Sequence, residues 1–323
     1  MSEWDDAVIG RTAGLWRCRP VPADEPEPAP ECASMAAALP GAEVIAARVR
    51  GRKHRHEGAN CDDWFEIANW EDVTFIAVSD GAGSRKFSRI GARESCRAAV
   101  GCLRGAFRKR FAGDPGIRER LQLELTDPPC MRACEALAEL VRRAMLEARA
   151  AVEAAWRARS ADPAYAAALG RELELRDFAG TLLLAALVPL EGRQRLAISC
   201  QVGDGAIALL DAGTESVKLM GDADRGEFAG ETEFLTSIPP DGDGALRRRT
   251  RLFRGAADVL LVMTDGVADD YFPAQARLHG LYLDLLANGA LDGRDGGERL
   301  KLWLDNYVER GSFDDRTLVI ARL

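Results

Sequence analysis

The sequence has no Cys-X-X-Cys pair, no excess of positive charge, and no apolar run near the roughly 20 residues of a membrane span. Its eight cysteines are scattered, and the closest two, Cys130 and Cys134, stand one helical turn apart. A disulfide framework belongs to short secreted chains, and this one has 323 residues, so the thiols read as reduced. Cys96, Cys134 and Cys200 read as small core residues. A net charge of −8 argues against a nucleic-acid partner, which needs a basic face. No membrane partner is expected either. Aromatics supply only 7% of the residues, but hydrophobic residues make up 47%, enough for a full core in one large domain or two ordinary ones. No His or Cys set has zinc-ligand spacing. The first ten residues, MSEWDDAVIG, lack the basic and apolar regions of a secretory signal, so the expected location is cytoplasmic.

Residues 1–41 read as a tail followed by a flexible Pro- and Glu-rich linker, PVPADEPEPAPE. Trp4, Leu15 and Trp16 in the tail are costly to leave in water and are expected to dock. The ordered domain is expected over 42–323, opening on the strand AEVIAARV. FIAVS before Asp80 reads as a buried strand. From Ser88 to Phe111, Cys96, Val100, Leu103, Phe107 and Phe111 recur at steps of three and four, the stripe of an amphipathic helix. Residues 131–158 repeat it with Cys134, Leu137, Val141, Met145, Ala148 and Val152, and a shorter helix is expected from Ala164 to Leu175. Together they make a helical insert at about 113–176. TLLLAALVPL, RLAISCQV, AIALL and SVKLM, separated by turn signals, suit an antiparallel meander. ADVLLVMT and RTLVIARL are two further buried strands, and residues 273–308 read as helices around DGRDGG. Neighbouring strands outnumber helices, so the expected class is α+β: two packed antiparallel sheets flanked by helices.

Four acidic motifs stand at strand ends: CDD at 61–63, SDGAGS at 79–84, TDGVADD at 264–270 and FDDRT at 313–317. Aspartate is the shortest carboxylate, and a strand end is a rigid platform. Converging strand ends would build an oxygen cage suited to Mg2+ or Mn2+. Asp-Gly is also ordinary turn chemistry. For Gly203-Asp204-Gly205 that plainer reading is preferred, because a strand follows at once. For Asp80 and Asp265 it is weaker, because helical sequence follows, and an unpaired buried Asp is expensive without a cation.

In this order the motifs resemble the phosphatase 2C (metal-dependent protein phosphatase) family, and within it a bacterial subgroup. The resemblance rests on His54, Gly58, Cys61 and Asp63, on SDGAGSRKFSRIGA from Ser79 to Ala92, and on Gly180-Thr181 and Gly203-Asp204. It continues through GEFAGETEFLTS at 226–237, TDGVAD and DDRTLVI, and so runs from about residue 44 to the C-terminus. It implies an α-β-β-α sandwich with two Mn2+ or Mg2+ ions in a cleft at one end. Carried over by position, Asp80 bridges both ions, the Gly81 carbonyl binds one, and Asp265 and Asp314 hold the other. Asp63 orients metal-bound water, Asp62 acts through water, and Asp269 matches a third, weaker ligand. Asn60-X-Asp62 also mimics the commoner first motif, so the register is open by one residue. The spacing from His54 and Cys61 favours Asp63.

Better-studied members of the family carry an Arg where this chain has Gly58 and a His where it has Ala82. The phosphate grip and the leaving-group acid therefore fall to His54, His56, Arg52, Arg55 or Arg85 as candidates, each on what also reads as a solvated basic loop. The implied reaction is hydrolysis of phosphoserine or phosphothreonine on a protein by metal-activated water, with a partner Ser/Thr kinase implied by the family. The catalytic expectation is Asp63, Asp80 and His54. Two readings compete: a non-catalytic binding module on the same fold, and a hydrolase of small phosphoesters. A cysteine phosphatase is disfavoured, since no phosphate loop surrounds Cys61.

Overall fold

The central strands are buried on both faces, and this decides the architecture. In β4 (Val73–Ser79), Phe75 and Ala77 enter one core while Ile76 and Val78 enter another. In β10 (Val259–Met263), Leu260 and Val262 join Ile76 and Val78, whereas Val259, Leu261 and Met263 point into a third core. Strands apolar on both faces must be covered on both faces. The computed structural model, which describes residues 16–222, 233–307 and 312–323, does this with four layers.

One sheet holds β1 (Cys32–Leu39), β2 (Ala42–Val49), β11 (Arg316–Arg322), β10, β7 (Ala206–Asp211) and β8 (Ser216–Leu219), in that order. The other holds β3 (Trp64–Trp70), β4, β5 (Leu182–Pro189), β6 (Gln194–Val202) and β9 (Thr250–Ala256). All named pairings are antiparallel. Along the chain the helices are α1 (Arg52–Glu57), α2 (Ser88–Gly113), α3 (Ile117–Gln122), α4 (Pro128–Ser160), α5 (Pro163–Leu169), α6 (Asp243–Arg249), α7 (Asp265–Ala268), α8 (Ala274–Ala287) and α9 (Gly296–Asn306). Helices α2 and α4 cover the five-stranded sheet, and α8 and α9 cover the six-stranded one. No helix among the described residues is long and apolar enough to cross a membrane.

The α2 stripe expected from the sequence is buried in full. Each such side chain contributes roughly 1.5–3 kcal/mol on burial. That outweighs Gly101 and Gly105 inside the helix, at about 1 kcal/mol each.

Two expectations change. The strands β5 to β8 do not make one meander. They form two hairpins in different sheets, and residues 203–205 carry the chain from one sheet to the other. Gly203 sits at φ +116°, where a Cβ would stand 2.4 Å from Thr181 Cγ2, so the crossing requires glycine. The boundary near Ala42 also moves, because β1 pairs with β2 along its whole length. Residues 16–31, read as tail and linker, are docked as a strap. Glu25 bonds Lys86 and Arg89, Glu27 bonds Arg93 and Arg159, and Ala29 N–H donates to Asn60. Trp16 packs on Phe313 and His56. Trp4, Leu15 and residues 226–232 lie outside the described residues.

Candidate metal centre

Antiparallel register brings the acidic motifs to one end of the sandwich. Trp64 pairs with Ser79, so Asp63 and Asp80 flank the same end of the five-stranded sheet. Met263 pairs with both Leu318 and Ala206, which places Asp265, Asp314 and Asp204 at the corresponding end of the other sheet. Carboxylate oxygens of Asp80, Asp204 and Asp265 lie within 4.8 Å of one another. Asp204 is thus part of the cluster, although the plain turn reading was preferred for it. No sequence signal separates the two readings: a strand follows Asp204 either way, and only the fold shows that it joins the other sheet.

Asp80 is held by its backbone, donating N–H to Thr181 Oγ1 at 2.9 Å and accepting Thr181 N–H at 2.8 Å. Gly81 forms a bridge to Gly180, and a Cβ on it would stand 2.7 Å from the Asp62 carbonyl. Asp265 opens α7 and accepts its neighbour Gly266's N–H at 2.7 Å. Asp63 is 1% exposed and spans the two sheets: its Oδ2 accepts from Thr264 Oγ1 at 2.9 Å and from Thr317 Oγ1 at 2.6 Å. Its Oδ1 is buried with no hydrogen-bond donor among the described residues. Neither threonine was singled out in the sequence, though each is part of a motif.

These carboxylates crowd one another. Burial, then the neighbouring Asp265 and Asp63, push Asp80 far above the usual carboxylate range. Burial, then Asp204 and Asp63, do the same to Asp265. Burial and Asp315 raise Asp63 to about 7. Like charges this close, with no basic side chain among them in the described residues, are a site that a divalent cation would relieve. The donor set is all oxygen, and the buried lone pairs of Asp63 Oδ1 lack a donor. Both fit a hard cation such as Mg2+ or Mn2+.

A second cluster, His54, Asp314 and Asp315, is built differently. Asp315 Oδ2 lies 2.9 Å from His54 Nδ1 and accepts Asp62 N–H at 2.6 Å, while Oδ1 accepts Gly51 N–H at 2.6 Å. Burial opposes its charge, yet His54 and the two backbone donors hold its pKa below the usual range. Burial opposes the charge on His54 as well, but Asp315, Asp62 and Asp314 raise it to about 9. This is a satisfied hydrogen-bond clamp rather than a cage. Asp315, unassigned in the sequence reading, is its centre.

The remaining sequence candidates are spread out. Asp62 lines a cavity of about 360 Å3 with Glu57, Asn60, Arg85, Lys86 and Arg89, and burial followed by Asp315 raises it to about 8. Asp269 is exposed, near enough for Asp265 to feel its charge. His56 packs on Trp16 and accepts Arg17 N–H, and Arg55 pairs with Asp305, so both are engaged elsewhere. Cys61 is fully buried, and burial pushes its thiol far up, the opposite of an activated nucleophile.

A family model described as protein phosphatase 2C matches residues 50–305, well over half of the chain. No curated protein matches. Among solved structures, a phosphatase from a pathogenic strain of Toxoplasma gondii aligns with a TM-score of 0.53 at 12% identity, covering 90% of this chain and 95% of that one. The serine/threonine phosphatase Stp1 from Staphylococcus aureus aligns at 0.47 and 15% identity, covering 90% and 97%. RsbX, solved in complex with magnesium, aligns at 0.45 and 12% identity, covering 90% and 100%. At these identities the likeness concerns the fold alone.

Proposed function

The chain belongs to the protein phosphatase 2C family, which makes it a metal-dependent protein serine/threonine phosphatase, and we propose that it works through two divalent ions held at the strand ends. The observation that carries this reading is the cluster of Asp80, Asp204 and Asp265 drawn from both sheets, with the unsatisfied Asp63 Oδ1 beside it. Asp80, the Gly81 carbonyl, Asp204, Asp265 and Asp314 would hold the ions, with Asp63 oriented by Thr264 and Thr317 toward water in the cleft. Asp62 and the exposed Asp269 are the outer members of the set. When bound, the ions supply positive charge that acidifies a water and neutralises the phosphoryl oxygens.

The leaving serine or threonine oxygen needs a proton. In this reading His54 supplies it. Its Nδ1 is held by Asp315, and its Nε2 lies 3.4 Å from where a Cβ on Gly83 would stand, on the loop that follows Asp80. That placement leaves Nε2 to carry the transferable proton, in the role open at Ala82. Arg85, on the wall of the cavity that reaches Asp62, is the candidate phosphate grip. The activity requires an opposing protein kinase to make its substrate. Eight free thiols suit a reducing, cytoplasmic setting.

The test is hydrolysis of a phosphoserine peptide by the purified chain with Mn2+, with Mg2+, and after chelation, beside a nucleotide monophosphate as control. Metal-dependent release from the peptide is expected. No release with any metal would sink the catalytic reading, and preference for the nucleotide would redirect it to small phosphoesters.

A further inference from the structure

We propose that Asp315 is a positioning residue of the hydrolytic site: its carboxylate ties the first acidic motif to the last and so sets where Asp63 and Asp314 stand. This rests on the two-ion reading above. The two motifs are separated by more than 250 residues of sequence and belong to different sheets, so nothing local fixes their spacing.

Asp315 is 1% exposed, and both of its oxygens are taken. Oδ1 accepts Gly51 N–H at 2.6 Å, at the entrance to the short helix that carries His54. Oδ2 accepts Asp62 N–H at 2.6 Å and lies 2.9 Å from His54 Nδ1. Turning this carboxylate toward an ion would strand two buried backbone donors, each costly to leave unmade. Asp315 therefore acts through other residues rather than as a ligand.

The consequence for the ligands is direct. The 62–63 segment is gripped at both ends, its Asp62 N–H by Asp315 and its Asp63 carbonyl by Arg48 Nη1 at 3.2 Å. Asp315 N–H in turn donates to Asp314 Oδ1 at 2.9 Å, which orients that side chain. The packing leaves no slack. A Cβ on Gly51 would stand 2.3 Å from the Asp314 carbonyl carbon, and one on Gly266 1.9 Å from the Asp315 carbonyl oxygen. The same clamp therefore touches the loop beginning α7, where Asp265 sits.

The experiment compares the full-length wild type with Asp315→Asn and His54→Asn. An asparagine at 315 must present an amide to at least one backbone N–H. An asparagine at 54 keeps a donor near the Nδ1 position but removes Nε2. Mn2+ binding is read by isothermal titration, turnover on the phosphopeptide by phosphate release, and melting in chelator by circular dichroism. Asp315→Asn is expected to weaken Mn2+ binding about tenfold to a hundredfold. His54→Asn is expected to keep Mn2+ affinity within a few-fold while turnover falls. Were Asp315→Asn unfolded in chelator, His54→Ala, which removes one of the three clamp contacts, would be titrated instead, with weakened Mn2+ binding expected. Unchanged Mn2+ affinity in the folded Asp315 variant, or in His54→Ala if that is the one read, would overturn the proposal. A wild type that binds Mn2+ but hydrolyses nothing would instead strike at the catalytic reading and leave the clamp standing.

Discussion

The chain treats its acidic residues in two opposite ways. Along the strap, Glu25 is 5% exposed at its side chain and meets Lys86 at 2.6 Å and Arg89 at 2.9 Å. Burial opposes the charge on Glu27, yet Arg159, Arg93 and Tyr165 lower its pKa to about 2. At the sandwich end, Asp62 and Asp63 are raised to about 8 and about 7, and burial and neighbouring carboxylates push Asp80 and Asp265 well above the usual carboxylate range too. One group is neutralised by the protein's own cations and holds the fold together. In the two-ion reading proposed above, the other is left for a cation from outside. Buried charge therefore marks a functional site here only where the protein declines to pair it.

Three experiments press on that contrast. The largest effect is expected from Asp80→Asn, which should lower metal-dependent turnover by about a hundredfold or more while the far-ultraviolet circular dichroism is kept. Glu25→Ala, at a buried acid of the strap, should do the reverse. Breaking the buried Glu25–Arg89 pair costs about 3–5 kcal/mol. It should lower the melting temperature by several degrees and leave turnover within about threefold at low temperature. Equal losses of turnover in the two variants would erase the distinction. Next in size, Asp204→Asn should cost at least as much turnover as Asp269→Asn, because Asp204 lies in the three-carboxylate cluster and Asp269 is exposed. The opposite ranking in the phosphopeptide assay would remove Asp204 from the centre.

The smallest effect concerns pH. Asp62 and Asp63 bind protons more tightly in the folded protein than in the unfolded chain, and His54 does so as well. Their contribution is complete below the unfolded values and is lost as pH rises through about 7 to 9. The metal-free protein should therefore melt a few degrees lower at about pH 8 than at about pH 6. Saturating Mn2+, which competes with those protons, should flatten or reverse the slope. Glu27 has the opposite sign: its contribution is present above its unfolded value and is lost as pH falls toward about 2. A metal-free melting temperature that rises from pH 6 to 8 would contradict the crowding of the centre.

The legible parts of the sequence were those that local pattern controls. The stripe from Cys96 to Phe111 and the one from Cys134 to Val152 both became buried helix faces, because a 3.6-residue period needs no knowledge of the partner. Asp80 and Asp265 stand out in the sequence because each ends an apolar run and precedes a helix. Asp204 was misread because Asp-Gly looks the same whether the next strand returns to its own sheet or crosses to the other. The strap was misread for a related reason. PVPADEPEPAPE has almost nothing apolar to bury, but Glu25 and Glu27 are held by basic residues about 60 to 130 positions away. Electrostatic docking over such distances leaves no periodicity to detect. Asp315 stood in plain view inside FDDRT, but a carboxylate that accepts backbone N–H groups is indistinguishable in sequence from one that would bind an ion.

The crossing at residues 203–205 gives the acidic cluster an unusual mechanical position. Asp80 hangs from one sheet, Asp265 from the other, and Asp204 from the bridge between them. An ion gripping all three would behave as a rivet through the two plates of the sandwich. The spacing of those plates is set by Ile76, Val78, Leu183, Ile207 and Val262, none of which is among the proposed ligands. Cation affinity then becomes a gauge of how closely the sheets are stacked, and a methyl group trimmed from that hidden layer would be felt at the cleft as a loosened grip.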